Sequence, residues 1–370
     1  MIHMKKLIVG VAVLLSSVAC HERTVVLRDT IPYVKQLAAD TSATYPLLLS
    51  YRAGGNRGSI AVIGEPEAAL SLASLFKSVD IVDNIDGKAV SDSLPDFSGE
   101  SFDVVMDLYN APYLRMASSS PDSLREVAVR NTVMAVDSVA YSNALDGMSR
   151  LRKSRAKMFV LASSLLTEFG RFDIDTLFKM VGREAIILTP VEAMLDAAKR
   201  EGCQRVAVWA PVESRPAYEA AAKEIGLDLT VVSTTGNGLL RPAFRDMLKV
   251  YRTDHPNDVL DAVLLDSFSV DLDELHAELE HIHRLITDED MAFDRILAPH
   301  FHFIEPNTSL TSACYRLLRE KNLFTHDIAY PSVRYYQTEE NWDGDFVFVE
   351  IGANYLFSET ASSSHVPDID

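Results

Sequence analysis

From residue 59 to residue 351 the chain alternates short apolar runs rich in Val, Ile and Leu with longer stretches whose apolar residues recur every three or four positions. Runs of the first kind predict buried strands, and stretches of the second kind predict amphipathic helices. Their alternation predicts parallel sheets with crossover helices, an α/β fold. The first part reads as strand 59–63, helix 66–77, strand 79–82, strand 102–108, a long helical region 123–153, and strands 158–162 and 185–188. At Pro190 the pattern restarts and becomes cleaner. Helices 191–201, 216–225, 243–252 and 272–286 lead to strands 205–209, 229–232, 262–265 and 295–298. A helix at 310–320 and closing strands at 333–337 and 346–351 complete the pattern, with Asn341-Trp342-Asp343-Gly344 as the turn. The second-half strands are continuous apolar runs, as a sheet covered on both faces requires.

The N-terminus has a different pattern. Lys5 and Lys6 precede an apolar run from Leu7 to Leu15, followed by Ser16-Ser17-Val18-Ala19-Cys20. This is the layout of a secretory signal, and the run is too short to span a membrane. Small residues followed at once by Cys20 resemble a bacterial lipobox, which implies cleavage before Cys20 and lipidation of its thiol. Ser17 stands where that family usually has Leu. His21 follows the Cys, where some Gram-negative systems mark inner-membrane retention with Asp, so the resemblance favours the outer membrane.

Two Rossmann-like halves behind such a signal resemble type I periplasmic binding proteins. The resemblance rests on Ala185-Ile-Ile-Leu-Thr-Pro190, helix 191–201 and Gly202-Cys-Gln-Arg-Val-Ala-Val208 as the crossing between lobes. It rests also on Asp261-Ala-Val-Leu-Leu-Asp-Ser267 as a second-lobe strand ending over the cleft. It implies two Rossmann-like lobes with parallel sheets and crossover helices. The expected division is signal peptide 1–19, lipidated Cys and tether 20–58, lobe one 59–190, lobe two 191–300, return crossing and closing strands 301–357, and a Ser-rich acidic tail 358–370.

Charge narrows the range of partners. The formal net charge is −18, and removal of residues 1–19 takes two lysines and no acid, leaving −20. Such a surface disfavours nucleic acid and anionic membranes, so membrane attachment is expected through the lipid alone. Only Cys203 and Cys314 remain besides Cys20, which is no disulfide framework for a chain of this size.

In open α/β sheets, ligands bind beyond the carboxyl ends of strands. In the first half that rule selects Gly64, Glu65, Tyr109, Asn110, Ser163, Ser164 and Thr189. In the second half it selects Glu213, Arg215, Thr234, Thr235, Asp266, Phe268 and His300. Ser, Thr and Asp in such places also serve as helix caps. His300-Phe301-His302, if extended, puts two imidazoles on one face, and with Glu305 would offer a metal three ligands. His276, Glu280, His281 and His283 form a second cluster at helical spacing, on a Glu-rich face that reads as solvated.

Enzyme signals are thin. The sequence has no Gly-x-Ser-x-Gly, His-Glu-x-x-His or Gly-x-Gly-x-x-Gly motif. The two-lobed racemases of aspartate and glutamate also pair Rossmann-like halves, but that resemblance requires a Cys in each half at the cleft, and Cys203 begins a strand. The expectation is therefore a lipid-anchored, non-catalytic envelope protein without a cofactor. It would bind a small polar molecule between its lobes and serve an importer or a sensor. The alternatives are a scaffold lipoprotein that regulates an envelope partner, and a metal-binding lipoprotein.

Overall fold

A computed structural model describes residues 28–352 except 53–54, 85–87, 234–238 and 326–328. The signal segment, Cys20, Thr234, Thr235 and the 358–370 tail lie outside the described residues. Two short helices, α1 (Pro32–Leu37) and α2 (Tyr45–Ser50), precede a first group of elements. These are β1 (Ser59–Gly64), α3 (Pro66–Ser78), β2 (Ser101–Met106), α4 (Tyr113–Ser119), α5 (Pro121–Val136), β3 (Val139–Tyr141), β4 (Arg150–Arg152), β5 (Ala156–Ala162), α6 (Ser164–Met180) and β6 (Ile187–Leu188). The second group is α7 (Pro190–Arg200), β7 (Arg205–Ala210), α8 (Arg215–Ile225), β8 (Asp228–Ser233), α9 (Leu240–Asp254), β9 (Leu260–Leu265), α10 (Leu272–His283), α11 (Asp288–Asp294) and β10 (Leu297–Ile304). The chain then returns through α12 (Pro306–Glu320) to β11 (Ser332–Glu340) and β12 (Phe346–Ile351).

The strands form an eight-stranded sheet, β4-β3-β12-β11-β2-β1-β5-β6, and a four-stranded sheet, β10-β9-β7-β8. The pairings are parallel except those of β11 with β12 and of β3 with β4. This is a two-lobed α/β fold with parallel sheets and crossover helices.

Every residue of β1 and β5 is buried, because helices cover both faces of the large sheet. Alternation along β1 sorts its side chains. Ala61 and Ile63 join Phe159, Leu161 and the apolar faces of α5 and α6. Ile60 and Val62 join Phe102, Val104 and Met158 beneath α3 and α12. Leu310, Cys314 and Leu318 of α12 belong to that second cluster, so the helix that follows the small sheet packs on the large one. Arg125 on α5 forks onto Asp173 on α6, with Nε to Oδ2 at 2.6 Å and Nη2 to Oδ1 at 3.0 Å. Where the same two helices approach most closely, Gly170 faces Ala128.

Several predicted elements differ, each for a local reason. Residues 79–82 are not a strand, since the Asp96 carboxylate takes the backbone N–H groups of Ile81 and Val82 that a neighbouring strand would otherwise take. The helix predicted at 123–153 ends at Val136, and a hairpin follows. Asn143 and Asp146 turn that hairpin by accepting the backbone N–H groups of Leu145 and Met148. The helix predicted at 272–286 stops at His283, and Thr287 with Asp290 forms a capping box that starts α11. The last small-sheet strand runs to Ile304, well past the predicted end at residue 298.

Candidate active site

The carboxyl ends of the two sheets face each other, and the residues at those ends form the cleft. On the large sheet, Glu65 follows β1 and accepts the Tyr113 N–H at 2.9 Å. Burial raises its pKa, and Glu67 and Asp107 add to the effect. Asp107 follows β2 and is fully buried. Four neutral donors hold its carboxylate: Asn110 Nδ2 at 2.7 Å, Tyr113 OH at 3.0 Å, Asn131 Nδ2 at 2.8 Å and Thr338 Oγ1 at 2.5 Å. This network joins the loop after β2 to α5 and β11. Ser163 follows β5 and caps α6, its Oγ accepting from the N–H groups of Leu165 and Leu166 at 3.2 and 3.4 Å. Thr189 caps α7 in the same manner, through the Glu192 N–H at 3.4 Å.

Ser164 is the residue that reaches across. Its hydroxyl donates to the Asp266 carboxylate at the tip of β9, a short bond between the lobes. Burial pushes the Asp266 carboxyl up from 3.8 to about 6, against the opposing influence of Ser164 and Tyr218. The fully buried Tyr218 is close enough for each group to shift the other's titration, without a well-formed hydrogen bond between them. Desolvation disfavours the charged form of both groups.

Further contacts link the lobes. Among them, Ser118 Oγ donates to Glu213 Oε1 at 2.6 Å. The Phe268 carbonyl accepts Ser71 Oγ–H from α3 at 3.2 Å and Asn307 Nδ2–H from α12 at 2.9 Å. A groove of about 560 Å³ lies beside the Phe268 contact, lined by Ser71, Ser74, Ser267, Phe268, Glu305 and Asn307 among others, with neither Asp266 nor Ser164 in its wall.

Of the residues selected from sequence, Ser164, Asp266, Glu213 and Phe268 take part in contacts between the lobes. Glu65, Asn110, Ser163 and Thr189 sit at the same rim with local partners. Tyr109 instead stacks edge-on against Phe346 (4.8 Å) and donates to Glu340, on the β11–β12 side of the large sheet. Arg215 points back toward β8, with Nη2 3.5 Å from the Val231 carbonyl.

His300 is a correction. It is exposed, and the sheet register sets His302 opposite Ala262, near the start of β9 rather than its cleft end. His302 pairs there with Glu201 and lies 4.0 Å from Cys203 Sγ. Glu305 caps α12 through the N–H groups of Asn307 and Thr308. The His300, His302 and Glu305 metal set therefore does not converge, and no group of three or more His, Cys, Asp or Glu among the described residues is arranged to hold a metal ion. Cys203 is buried in the core of the small-sheet lobe, its thiol pushed up to about 11 by burial, and Cys314 is buried within α12. Neither thiol lies at the cleft.

Sequence reasoning passed over Asp107, Tyr218, Ser71 and Asn307. Asp107 had a positional signal, standing at the end of an apolar run, but it was absorbed into the predicted strand. Tyr218 lies inside an amphipathic helix and carries no signal of its own.

No protein-family model and no curated protein matches this sequence. Among solved structures, the chain is similar to a glutamate racemase from Francisella tularensis subsp. tularensis in complex with D-glutamate. The identity is 13%, with 78% of this chain and 91% of that one covered, at a TM-score of 0.48. It is similar to a glutamate racemase isoform from Bacillus anthracis at 13% identity, covering 76% and 89%, with a TM-score of 0.47. It is also similar to an arylmalonate decarboxylase at 16% identity, covering 70% and 91%, with a TM-score of 0.33. These neighbours are two-lobed enzymes rather than periplasmic binding proteins or lipoproteins. They correct the expectations of a type I periplasmic-binding-protein-like lipoprotein, of a non-catalytic envelope role and of no enzymatic activity. The alternation of strands and helices that suggested the earlier resemblance is common to many doubly wound folds and does not distinguish among them.

Proposed function

We propose that this chain is an enzyme that moves a proton on a small polar substrate held between its lobes, with Asp266 as the acid–base group. The observation that carries the reading is the half-buried Asp266 carboxyl, raised to about 6, at a strand tip in the cleft and hydrogen-bonded by Ser164 of the opposite lobe. A carboxyl in that range exchanges a proton near neutral pH far more readily than an ordinary aspartate, and such pKa tuning is typical of acid–base catalysts. Ser164 fixes the orientation of the carboxyl and stands where it can pass a proton. Tyr218 closes the buried side. No thiol takes part.

The test is exchange of the α-proton for deuterium in D2O, followed by proton NMR. The panel holds D- and L-amino acids, 2-hydroxy acids and substituted malonates. The reading expects washout on at least one class, faster above about pH 6 where Asp266 is ionised. Asp266→Asn should lose 10²- to 10⁴-fold, the usual contribution of general acid–base catalysis. A folded protein that exchanges none of these compounds overturns the reading.

A second reading rests on the same bond. Ser164 opens α6, and its hydroxyl donates to a carboxylate, the arrangement of an activated nucleophile. It expects hydrolysis of small activated esters with a covalent intermediate on Ser164.

A further inference from the structure

The guanidinium of Arg130 on α5 lies flat over the Phe346 ring, with Cζ 3.6 Å from the ring centroid. Its Nε and Nη2 are shut off from water and have no hydrogen-bond partner among the described residues. These two nitrogens form one edge of the guanidinium, the edge that meets a carboxylate or phosphate with two parallel N–H···O bonds. Other arginines among the described residues fill that same edge with acids, Arg125 and Arg245 at hydrogen-bond distance. Arg125 sets Nε and Nη2 on the two oxygens of Asp173. Arg245 sets Nε on Glu278 and Nη2 on Asp290.

Asp107 and, more weakly, Glu126 act on Arg130 electrostatically, but no hydrogen bond joins either acid to its Nε or Nη2, and the Asp107 oxygens are taken by four neutral donors. The Arg130 edge is therefore a desolvated donor fork left open. A cation removed from water is costly when unpaired, and truncating one partner of a buried pair is strongly destabilising. Exposed Tyr109 meets the same Phe346 ring edge-to-face. Phe346 thus holds the plane of the guanidinium, and Arg130 supplies the directional donors.

We infer that the Nε–Nη2 edge of Arg130 is an oxyanion-binding site at the β11–β12 end of the large-sheet rim, taking a carboxylate or a phosphate group as a two-point partner. Entry requires a small shift of rim side chains, because the edge is screened from water in this structure. Two strand spacings separate Asp107, beside this site, from Ser163 after β5, about 10 Å at the usual spacing. The anion site is thus distinct from the Ser164–Asp266 contact and does not depend on the proposed reaction.

The test is isothermal titration of the full chain with sodium acetate and with sodium phosphate, chloride holding the ionic strength constant. One anion is expected to bind at one site per chain. Binding to acetate alone identifies a carboxylate site, and binding to phosphate identifies a phosphoryl site. Arg130→Gln should weaken the interaction at least tenfold, and Arg130→Lys should weaken it too, since an ammonium keeps the charge but not the fork. In case the variants fold poorly, nitrogen-15 spectra of the unmodified protein give a second readout: one arginine Nε–H resonance should move with the same saturation curve. Absence of binding by both anions, equal affinity in Arg130→Gln, or saturation without movement of any arginine Nε–H overturns the inference.

Discussion

At the scale of single residues, the molecule places charge where solvation is poor and then limits the cost. Lys157 and Glu100 form an ion pair at 2.7 Å whose side chains are both almost wholly buried. Lys157→Met should destabilise the protein by about 3–5 kcal/mol by leaving the carboxylate unpaired. Adding Glu100→Leu should recover most of that loss, and urea unfolding of the three variants measures both steps. Asp266 gives a pH signature. Its folded pKa, about 6, lies above its ordinary value of 3.8, so the folded state holds the proton more tightly. The stability this provides is present in full below about pH 4 and is lost as pH rises through about 6. The span is at most about 3 kcal/mol, at 1.36 kcal/mol per pKa unit. Asp266→Asn should flatten that part of the stability–pH curve and raise stability at neutral pH while lowering activity 10²- to 10⁴-fold, an exchange often met at active sites. An unchanged curve in thermal melts from pH 4 to 7 would count against Asp266 as the titrating group.

At the scale of elements, the α5–α6 contact sets a close helix approach that the sequence conceals. A Cβ built on Gly170 would stand 2.3 Å from the Cβ of Ala128. Alanine is the better helix former by about 1 kcal/mol, yet Gly170→Ala should destabilise by about 1–3 kcal/mol through overpacking. Ala128→Gly in the same chain should restore part of the loss, as a double-variant cycle in denaturant can show. This glycine also bears on how much of the fold was legible. Continuous apolar strands such as β5 and β9 and the amphipathic helices of the second half stand out, because burial on both faces or on one stripe writes itself into the order of residues. No helix is read between Ala162 and Ala185, since a mid-helix glycine and closely spaced apolar residues blur the 3.6 period across Ser164–Met180. The false strand at 79–82 has the opposite cause. Its apolar composition is strand-like, but Asp96, on the same connection between α3 and β2, folds back to take its backbone N–H groups. Of the candidate site, the rim was legible because strand tips are positions along the chain. The pairing of Ser164 with Asp266 and the misplacement of His300 depend on which ends of two sheets meet, and that information lies in long-range packing alone.

At the scale of the whole molecule, among the described residues the main chain passes between the lobes only before α7 and before α12. Beside those crossings Ala193 of α7 packs into the large-sheet core and Arg316 pairs with Asp196, whereas at the strand tips the lobes meet through the Ser164–Asp266 and Ser118–Glu213 hydrogen bonds. This arrangement permits opening about the two crossings. Removing Ser164 Oγ and Ser118 Oγ together should widen the distribution of lobe separations in solution scattering, with far-ultraviolet circular dichroism unchanged. A compact profile identical to the parent would show that packing rather than these bonds holds the lobes. The nesting of one lobe within the other also has a bearing on synthesis. Ser101 and Ser332, hydrogen-bonded at 2.9 Å across β2 and β11, are 231 residues apart. On a ribosome adding 5–20 residues per second, β2 waits roughly ten to fifty seconds for its neighbour. Over that interval its unpaired edge is open to strands of other chains. The small-sheet lobe, one uninterrupted stretch, can finish folding first, so the part of the protein that begins its synthesis is the last to be sealed.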